Sequence, residues 1–224
     1  MKAADVIPLH VSDVTYPDEH PLAGQTGSVM AFAIRRPDGI VLVDTGIGFG
    51  NEWIEESYQP RSRPIREALK AAALDADLVR SLINTHLHFD HSGQNAAFPG
   101  VPIFVQQSEW DVAWDESYTI TEWLDFEGAR YERVRGDSEI APGIRVIATP
   151  GHTPGHQSVS VETDDGLVLI VGQAAQDARD FANSAGDEIR THEAVATLAR
   201  LRALNATRIH FSHDRAVLNK RPAH

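Results

Sequence analysis

The sequence predicts an α/β fold in which two sheets pack face to face with helices on the outside. Two observations predict it. Apolar, strand-like runs followed by a helical segment occur twice along the chain, and 224 residues are enough for one α/β domain with a substantial core. No linker, repeat or low-complexity segment interrupts the chain, so we expect a single domain over residues 1–224.

The first half of the chain is predicted to contain a hairpin, a helix and a buried strand. Residues 28–34 and 40–43 are apolar runs on either side of Pro37-Asp38-Gly39, a composition typical of a turn. Residues 65–73 are rich in good helix formers. Leu82-Ile83-Asn84 then indicates a buried strand that ends just before a cluster of histidines.

The second half is predicted to alternate further strands with two helices. We expect strands at residues 101–105, 144–148, 157–162, 167–171 and 207–211, and helices at residues 107–115 and 191–204. Val195, Leu198, Leu201 and Leu204 recur at helical spacing and predict the buried face of the last helix. His210 alternates with apolar neighbours in the last strand, so we expect a structural role for it.

The strongest functional signal is the run His86-Leu87-His88-Phe89-Asp90-His91, at the end of a predicted strand. In extended backbone His86 and His88 point the same way, whereas Asp90 and His91 are adjacent in a turn and can face a second position nearby. Imidazole and carboxylate groups are ligands of zinc, iron and similar ions. A solvated turn without a metal is the alternative, but it would crowd four polar groups with nothing to satisfy them. The run therefore predicts a metal site with room for two ions.

Composition excludes several other classes of site and partner. The chain has no cysteine, so any metal must be bound by nitrogen and oxygen ligands. A net charge of −12 argues against a nucleic-acid partner, which is usually met by a basic patch. No apolar run approaches the roughly 18 residues of a membrane helix, and the N-terminus lacks a signal-peptide apolar region. We expect a cytoplasmic protein with no membrane partner.

Four ordered pieces of the chain resemble the metallo-β-lactamase superfamily. They are Val41-Leu42-Val43-Asp44-Thr45-Gly46, the run from His86 to His91, Gly151-His152-Thr153-Pro154-Gly155-His156 and the late His213. The phrases around the histidines look most like the lactonase branch, which includes acyl-homoserine lactonases. The resemblance implies an αββα sandwich of two mixed sheets flanked by helices, with the metal ligands on loops at one edge.

The resemblance also implies a ligand set for one or two divalent ions, with zinc first and iron, manganese or cobalt as alternatives. It places His86, His88 and His152 on metal one, and Asp90, His91 and His213 on metal two. His156 is expected to brace its loop by hydrogen bonding, and Asp44 to orient the ligand loop, with simple turn capping as the alternative for Asp44. The histidines without a motif are expected at the surface: His10, His20, His192 and His224.

The chain departs from the family pattern after the strand at residues 167–171. Gln173 stands where common dinuclear members have a bridging aspartate, and Gln176 stands where lactonases usually have a tyrosine. An amide oxygen neutralises no cation charge, so a second ion should bind less tightly, and Gln173 is expected to contact a metal or its water, or to point away. Asp177 is not expected to substitute. Without that tyrosine, the hydrogen bond that would stabilise the developing oxyanion has several candidate donors: the amide of Gln176, or Tyr16, Tyr58 or Tyr118 from a loop.

These observations predict a metal-dependent hydrolase of a small ester. The favoured substrate is a lactone similar to an acyl-homoserine lactone, and the favoured biological role is quorum quenching. Metal-bound hydroxide would attack the carbonyl carbon, and Asp90 would orient it and carry a proton. The alternatives are an iron-dependent oxygenase of the same superfamily and a metal-inert binding module. Whether the protein forms a homodimer stays open.

The loops at residues 16–26 and 49–64 are candidates for a lid over the substrate. Phe49, Trp53, Ile54 and Tyr58 would suit an acyl chain, although a packed surface loop explains them equally well. Trp110, Trp114 and Trp123 lie on predicted helices, where helix packing explains them as well as ligand contact does.

Overall fold

The computed structural model describes residues 1–115, 117–183 and 190–220, and these form two sheets flanked by helices. The strands are β1 Val6–Thr15, β2 Thr26–Arg36, β3 Gly39–Val43, β4 Arg61–Ser62, β5 Val79–Ile83, β6 Ile103–Gln106, β7 Tyr131–Val134, β8 Ser138–Ala141, β9 Ile144–Ala148, β10 Gln157–Thr163, β11 Gly166–Ile170, β12 Arg208–His210 and β13 Leu218–Asn219. The α-helices are α1 Glu52–Tyr58, α2 Ile65–Ala71, α3 Phe89–Ser92, α4 Gln107–Val112, α5 Thr121–Leu124, α6 Ala178–Ala182 and α7 His192–Ala203.

Both sheets are mixed. Within the described residues the first sheet has the strand order β4-β1-β2-β3-β5-β6-β7, and the second has the order β13-β12-β11-β10-β9-β8. In the first sheet β3, β5, β6 and β7 run parallel to one another, while β1 and β2 are antiparallel to their neighbours. In the second sheet the β11 and β12 pair is parallel. The predicted fold class, two mixed sheets flanked by helices, is confirmed.

Apolar side chains form three layers that hold this sandwich together. The middle layer lies between the sheets, where Phe32 and Ile34 of the first sheet belong to the same buried cluster as Val159 and Ile170 of the second. A second layer, including Leu42, Leu69 and Leu82, lies between the first sheet and its helices. The third packs Leu198 and Leu201 of α7 against the second sheet. Burial of these faces excludes water from both sheets and is the main stabilising contribution.

Parallel pairing brings the carboxyl ends of several strands to the same edge of the sandwich. Strands β3 and β5 are parallel neighbours, so the loops that follow Val43 and Ile83 emerge together. Strands β11 and β12 do the same in the second sheet. Side chains on such loops are fixed by the rigid strands beneath them, which makes this edge suitable for a functional site.

Most predicted elements are confirmed, with shifts of a few residues at their ends. The hairpin of β2 and β3 turns at Gly39, whose φ of 138° is accessible mainly to glycine. Strand β1 was not predicted, because a bulge between His10 and Ser12 interrupts the two-residue alternation of buried side chains. The prediction of a helix to residue 115 is wrong at its end: Trp114 lies after α4. Leu204 was expected on the buried face of α7, but it caps the helix and is 38% exposed.

The described part of the chain contains no helix with the length and apolar character needed to cross a membrane.

Candidate metal centre

The first group of ligands, the first triad, consists of His86, His88 and His152. His86 and His88 follow β5, and His152 lies in the loop between β9 and β10. Their ligating nitrogens converge: His86 Nε2 lies 3.0 Å from His88 Nδ1, which lies 3.2 Å from His152 Nε2. His86 is fully buried, whereas His152 is exposed at the rim. The sheet edge thus brings His152 to two neutral donors of a distant segment, His86 and His88.

The second triad consists of Asp90, His91 and His213. Asp90 and His91 lie on α3, and His213 arrives from the other sheet after β12. Asp90 Oδ2 lies 3.4 Å from His91 Nε2 and 3.6 Å from His213 Nε2. Both of these buried nitrogens lack a hydrogen-bond partner among the described residues. Buried donors or acceptors are rarely left unsatisfied, so this arrangement fits a metal ion held by both nitrogens.

The spacing of the donors fits a bound metal in both triads. Two ligands about 2.0 to 2.1 Å from a tetrahedral zinc ion lie roughly 3.3 Å apart, close to the distances in both triads. All six ligating atoms fall into two groups whose members lie within 4.8 Å of one another. The six residues predicted as ligands therefore meet as two triads. Their geometry fits divalent metal ions.

The protonation of the histidines also suits metal binding. Burial lowers the pKa of His86 well below its usual value and that of His88 to about 4, so both rings are neutral near neutral pH. Burial alone would lower the pKa of His91, but the charges of Asp90 and Asp44 raise it to about 10. A metal competes with that proton, because only a deprotonated imidazole nitrogen can bind a metal.

Asp44 is buried and fixes the orientation of the ligand loop. Its Oδ1 accepts a hydrogen bond from the Thr85 backbone N–H at 2.7 Å, and its Oδ2 accepts one from Thr85 Oγ1 at 2.8 Å. The same Oδ2 lies 2.8 Å from His91 Nδ1, so this nitrogen donates and His91 Nε2 remains free for a metal. Asp44 adopts a left-handed φ of 59°, a conformation that aspartate tolerates better than most residues. These contacts support its predicted orienting role over simple turn capping.

His156 is placed to brace its loop, because both of its ring nitrogens are engaged in hydrogen bonds. Nδ1 donates to the Thr149 carbonyl at 3.0 Å, and Nε2 accepts from the Gln173 backbone N–H at 3.0 Å. Burial and the neighbouring His91 lower the pKa of His156 to about 3, so the ring stays neutral. His156 thus connects the loop that carries His152 to the segment that carries Gln173, and it has no nitrogen left for a metal.

Gln173 stands at the sequence position where the family pattern has a carboxylate, and it lies near residues of both triads. Its side chain lines the same cavity as His88, Asp90, His152 and His213. Its Oε1 is buried and has no hydrogen-bond partner among the described residues, as expected for an oxygen that faces a metal or a metal-bound water. Asp177, by contrast, accepts a hydrogen bond from the Asp180 N–H at 2.7 Å and caps α6.

Glu109 is a buried carboxylate that the sequence analysis missed. On α4, its Oε1 accepts from the Leu87 N–H at 2.8 Å, and its Oε2 accepts from Thr153 Oγ1 at 2.6 Å and from the Gly155 N–H at 3.2 Å. Glu109 therefore ties together the two loops that supply the first triad. Gly155 permits this contact, because a Cβ there would lie 2.1 Å from the Glu109 backbone nitrogen. A lone glutamate on a predicted helix gave no signal of this role.

A cavity of about 560 Å³ opens directly above both triads. Of the predicted substrate contacts, Trp53 and Tyr58 line it. Ile54 is buried in the core and Phe49 is 53% exposed outside the cavity wall. Gln176 lies beside the cavity, and its Nε2 donates a hydrogen bond to Tyr16 Oη at 3.3 Å. The cavity wall is completed by Phe89 of α3 and by residues from three loops: Tyr16, His20, Asn51, Ser117, Tyr118, Thr119 and Ile120.

The histidines and tryptophans without a motif lie in different environments. His20 was expected at the surface; it is partly exposed, lines the cavity and stacks on Tyr16. His192 is exposed, as predicted, while His10 is partly exposed and pairs with Asp13; His224 lies outside the described residues. His210 is buried against Phe32, consistent with a structural role. None of the three tryptophans in question lines the cavity: Trp110, Trp114 and Trp123.

Comparison with known proteins places the chain in a family. Residues 24–213 match the family described as the metallo-beta-lactamase superfamily. An N-acyl homoserine lactonase of Bacillus sp is 33% identical over 168 residues, which cover 69% of this chain and 67% of the relative. The N-acyl homoserine lactonase AiiA of Bacillus thuringiensis subsp. kurstaki is 32% identical, with 68% of this chain and 66% of the relative covered. The matched segment thus spans about two thirds of these relatives.

Solved structures agree with this assignment. An N-acyl homoserine lactone hydrolase with the product N-hexanoyl-L-homoserine at its catalytic metal centre has a TM-score of 0.75 and 27% identity, covering 94% of this chain and 92% of its own. The dizinc quorum-quenching lactonase AidC has a TM-score of 0.65 and 18% identity, covering 88% of this chain and 78% of its own, and shows a similar fold. The expected likeness to the lactonase branch, and with it the prediction of a metallo-hydrolase, is confirmed. The chain belongs to the metallo-beta-lactamase superfamily.

Proposed function

We propose that this protein opens lactone rings by hydrolysis, with N-acyl homoserine lactones as the substrate class, and that its native metal is zinc. The observation that carries the proposal is the placement of two ligand triads at the floor of one cavity of about 560 Å³ with aromatic residues in its wall. Such a cavity matches the size of common small-molecule sites. The relatives named N-acyl homoserine lactonase support the substrate class.

The residues of the site divide the work of the reaction. A divalent ion held by either triad would act as a Lewis acid on the carbonyl oxygen and would lower the pKa of a water molecule toward neutrality. Burial would raise the pKa of Asp90, but the surrounding histidines hold it well below its usual range, so its carboxylate is ionised and can orient the attacking water through a hydrogen bond. Trp53 and Tyr58 offer apolar surface to an acyl chain, and Gln173 offers an amide oxygen near residues of both triads.

The test combines metal analysis with a lactone assay. Protein purified without chelator or affinity-metal resin is measured for metal per chain, and lactone opening is followed with a pH indicator on lactones of different acyl length. We expect zinc at one to two ions per chain, opening of acyl-homoserine lactones, and loss of both after removal of metal by a chelator. One iron per chain without lactone opening would favour the oxygenase alternative, and absence of metal would favour the inert binding module.

A further inference from the structure

The cavity wall contains three tyrosines, and the structure distinguishes their hydroxyl groups. Tyr118 donates its hydroxyl hydrogen to the buried carboxylate of Glu109, so it is already engaged. The ring of Tyr58 packs against Phe89 and Trp53, and its hydroxyl makes no hydrogen bond within the described residues. Of these three, and among the described residues, only Tyr16 has a hydroxyl oxygen that accepts a hydrogen bond, from Gln176 Nε2, while its own hydrogen remains available.

Tyr16 is also held in place from several sides. Its ring stacks on His20, with the ring centres 4.2 Å apart and the planes 10° from parallel. The ring lies directly on Gly27 of β2, where a Cβ would approach the Tyr16 hydroxyl oxygen to 2.5 Å. Its backbone is paired with Gln25 and Gly24 in the turn between β1 and β2. A side chain fixed in this way can direct a hydrogen bond with little reorganisation during a reaction.

Tyr16 contacts Gln176, the residue at which this chain departs from the family pattern. Lactonases usually carry a tyrosine where this chain has Gln176, and here the amide of Gln176 reaches the phenol of Tyr16 from another loop. An amide donor that binds the phenol oxygen polarises the O–H bond and strengthens it as a donor. Burial and the charge of Asp90 raise the pKa of Tyr16, so the phenol keeps its proton near neutral pH.

We infer that Tyr16 supplies the phenol that this site otherwise lacks, as a catalytic hydrogen-bond donor held in place by Gln176; the inference rests on the proposed lactone hydrolysis. Water gives one proton to solvent as its oxygen adds to the carbonyl carbon, and negative charge develops on the carbonyl oxygen. Tyr16 donates a hydrogen bond to that oxygen and keeps its proton. The ring carbon–oxygen bond then breaks, and the ring oxygen takes a proton from solvent.

The test compares Tyr16→Phe with Tyr131→Phe, which removes the hydroxyl of a tyrosine that does not line the cavity and contacts Asn95 instead. Loss of one donor to a developing oxyanion lowers kcat by about 100-fold or more. We expect that loss for Tyr16→Phe, with KM within about threefold and metal content unchanged, and a change in kcat of less than about threefold for Tyr131→Phe. Equal kcat in the wild type and Tyr16→Phe, or equal losses in the two variants, would overturn the inference.

A double-mutant cycle tests the role of Gln176. Gln176→Leu should lower kcat about tenfold in the wild type and less than about twofold in Tyr16→Phe, because the amide acts through the phenol. Additive losses would overturn this coupling.

Product binding separates failure of this inference from failure of the proposed function. The probe is N-hexanoyl-homoserine, titrated by calorimetry into metal-loaded protein. Weaker binding by Tyr16→Phe alone would support Tyr16 even if the wild type opened no lactone, in which case only the proposed function fails. Lactone opening with equal kcat and equal product affinity in Tyr16→Phe would overturn the role of Tyr16 alone. Absence of both lactone opening and product binding in the wild type would overturn both.

Discussion

Each triad offers three side chains to a metal ion, but the two triads are held in place in different ways. In the second triad the non-ligating nitrogens meet buried acceptors: His91 Nδ1 faces the Asp44 carboxylate, and His213 Nδ1 donates to the Ser28 carbonyl at 3.1 Å. In the first triad the loops are held through their backbone, because Glu109 binds the Leu87 N–H between two ligands and the Gly155 N–H near the third. One ring of the first triad is also held, because His86 Nδ1 lies 3.2 Å from Thr85 Oγ1, but the backbone contacts of Glu109 hold both of its loops.

The triads also differ in charge. The first offers three neutral imidazoles, whereas the second contains the ionised Asp90 and rests on the buried Asp44. Gln173 adds no charge, so the one carboxylate among the six predicted ligands belongs to the second triad. The comparison teaches that loss of the bridging carboxylate leaves the two positions unequal, although both retain a complete set of three protein ligands. Four changes test this difference.

The largest effect is expected from removing a ligand of either triad. His152→Ala and His213→Ala should each lower lactone kcat/KM by more than the roughly 10- to 100-fold cost of losing an outer partner. Each should also release metal, measured by elemental analysis. His192→Ala, at an exposed histidine, is the control and should change neither quantity. Full activity in either ligand variant would show that its triad is not part of the active site.

Glu109→Ala should disturb the first triad through its loops. The change leaves three buried groups without an acceptor, Leu87 N–H, Thr153 Oγ1 and Gly155 N–H, and each such group costs about 1 to 3 kcal/mol. We expect the free energy of unfolding to fall by about 3 kcal/mol in denaturant titration and metal content to decrease. Asp111→Ala, at an exposed acidic residue on the same helix, is the matched control. A metal content equal to that of the wild type would contradict the role of Glu109 in holding ligand loops.

Asp44→Asn should affect the second triad without removing a ligand. The amide keeps the shape of the side chain but removes the charge that orients and polarises His91, and loss of such a partner typically weakens metal binding 10- to 100-fold. Competition with a chromogenic chelator measures the affinity of each ion. We expect one affinity to weaken and the other to stay within a few-fold of wild type. Equal weakening of both would mean that the triads are not held independently.

Gln173→Asp should have the smallest effect and act on both triads together. A carboxylate at this place offsets the repulsion between two divalent ions, so metal content per chain should rise toward two under the same purification. Gln173→Asn, which shortens the side chain in the same way without adding charge, is the control. If the aspartate variant carries no more metal than the wild type, charge at this place is not what limits occupancy of the second ion.

The sequence alone determined most of the site, because short-range spacing governs it. The motif from His86 to His91 places two side chains on one face of an extended segment and two in the following turn, and this local geometry needs no tertiary information. The later histidines at 152 and 213 were placed by resemblance. The apolar runs of β2, β3 and β5 likewise predicted the strands beneath the site, since their buried faces follow the period of their own elements.

Only the tertiary structure decided which polar residues from distant segments support the ligands and the cavity. Glu109 looks like any helical glutamate until α4 packs against both ligand loops, and Tyr16 was one of several candidate phenols until Gln176 reached its hydroxyl. His20 carried no motif, and stacking on Tyr16 brings it into the cavity wall. Such roles depend on contacts between segments far apart in the chain, which no local spacing encodes, whereas the ligands within one motif are fixed by the backbone that joins them.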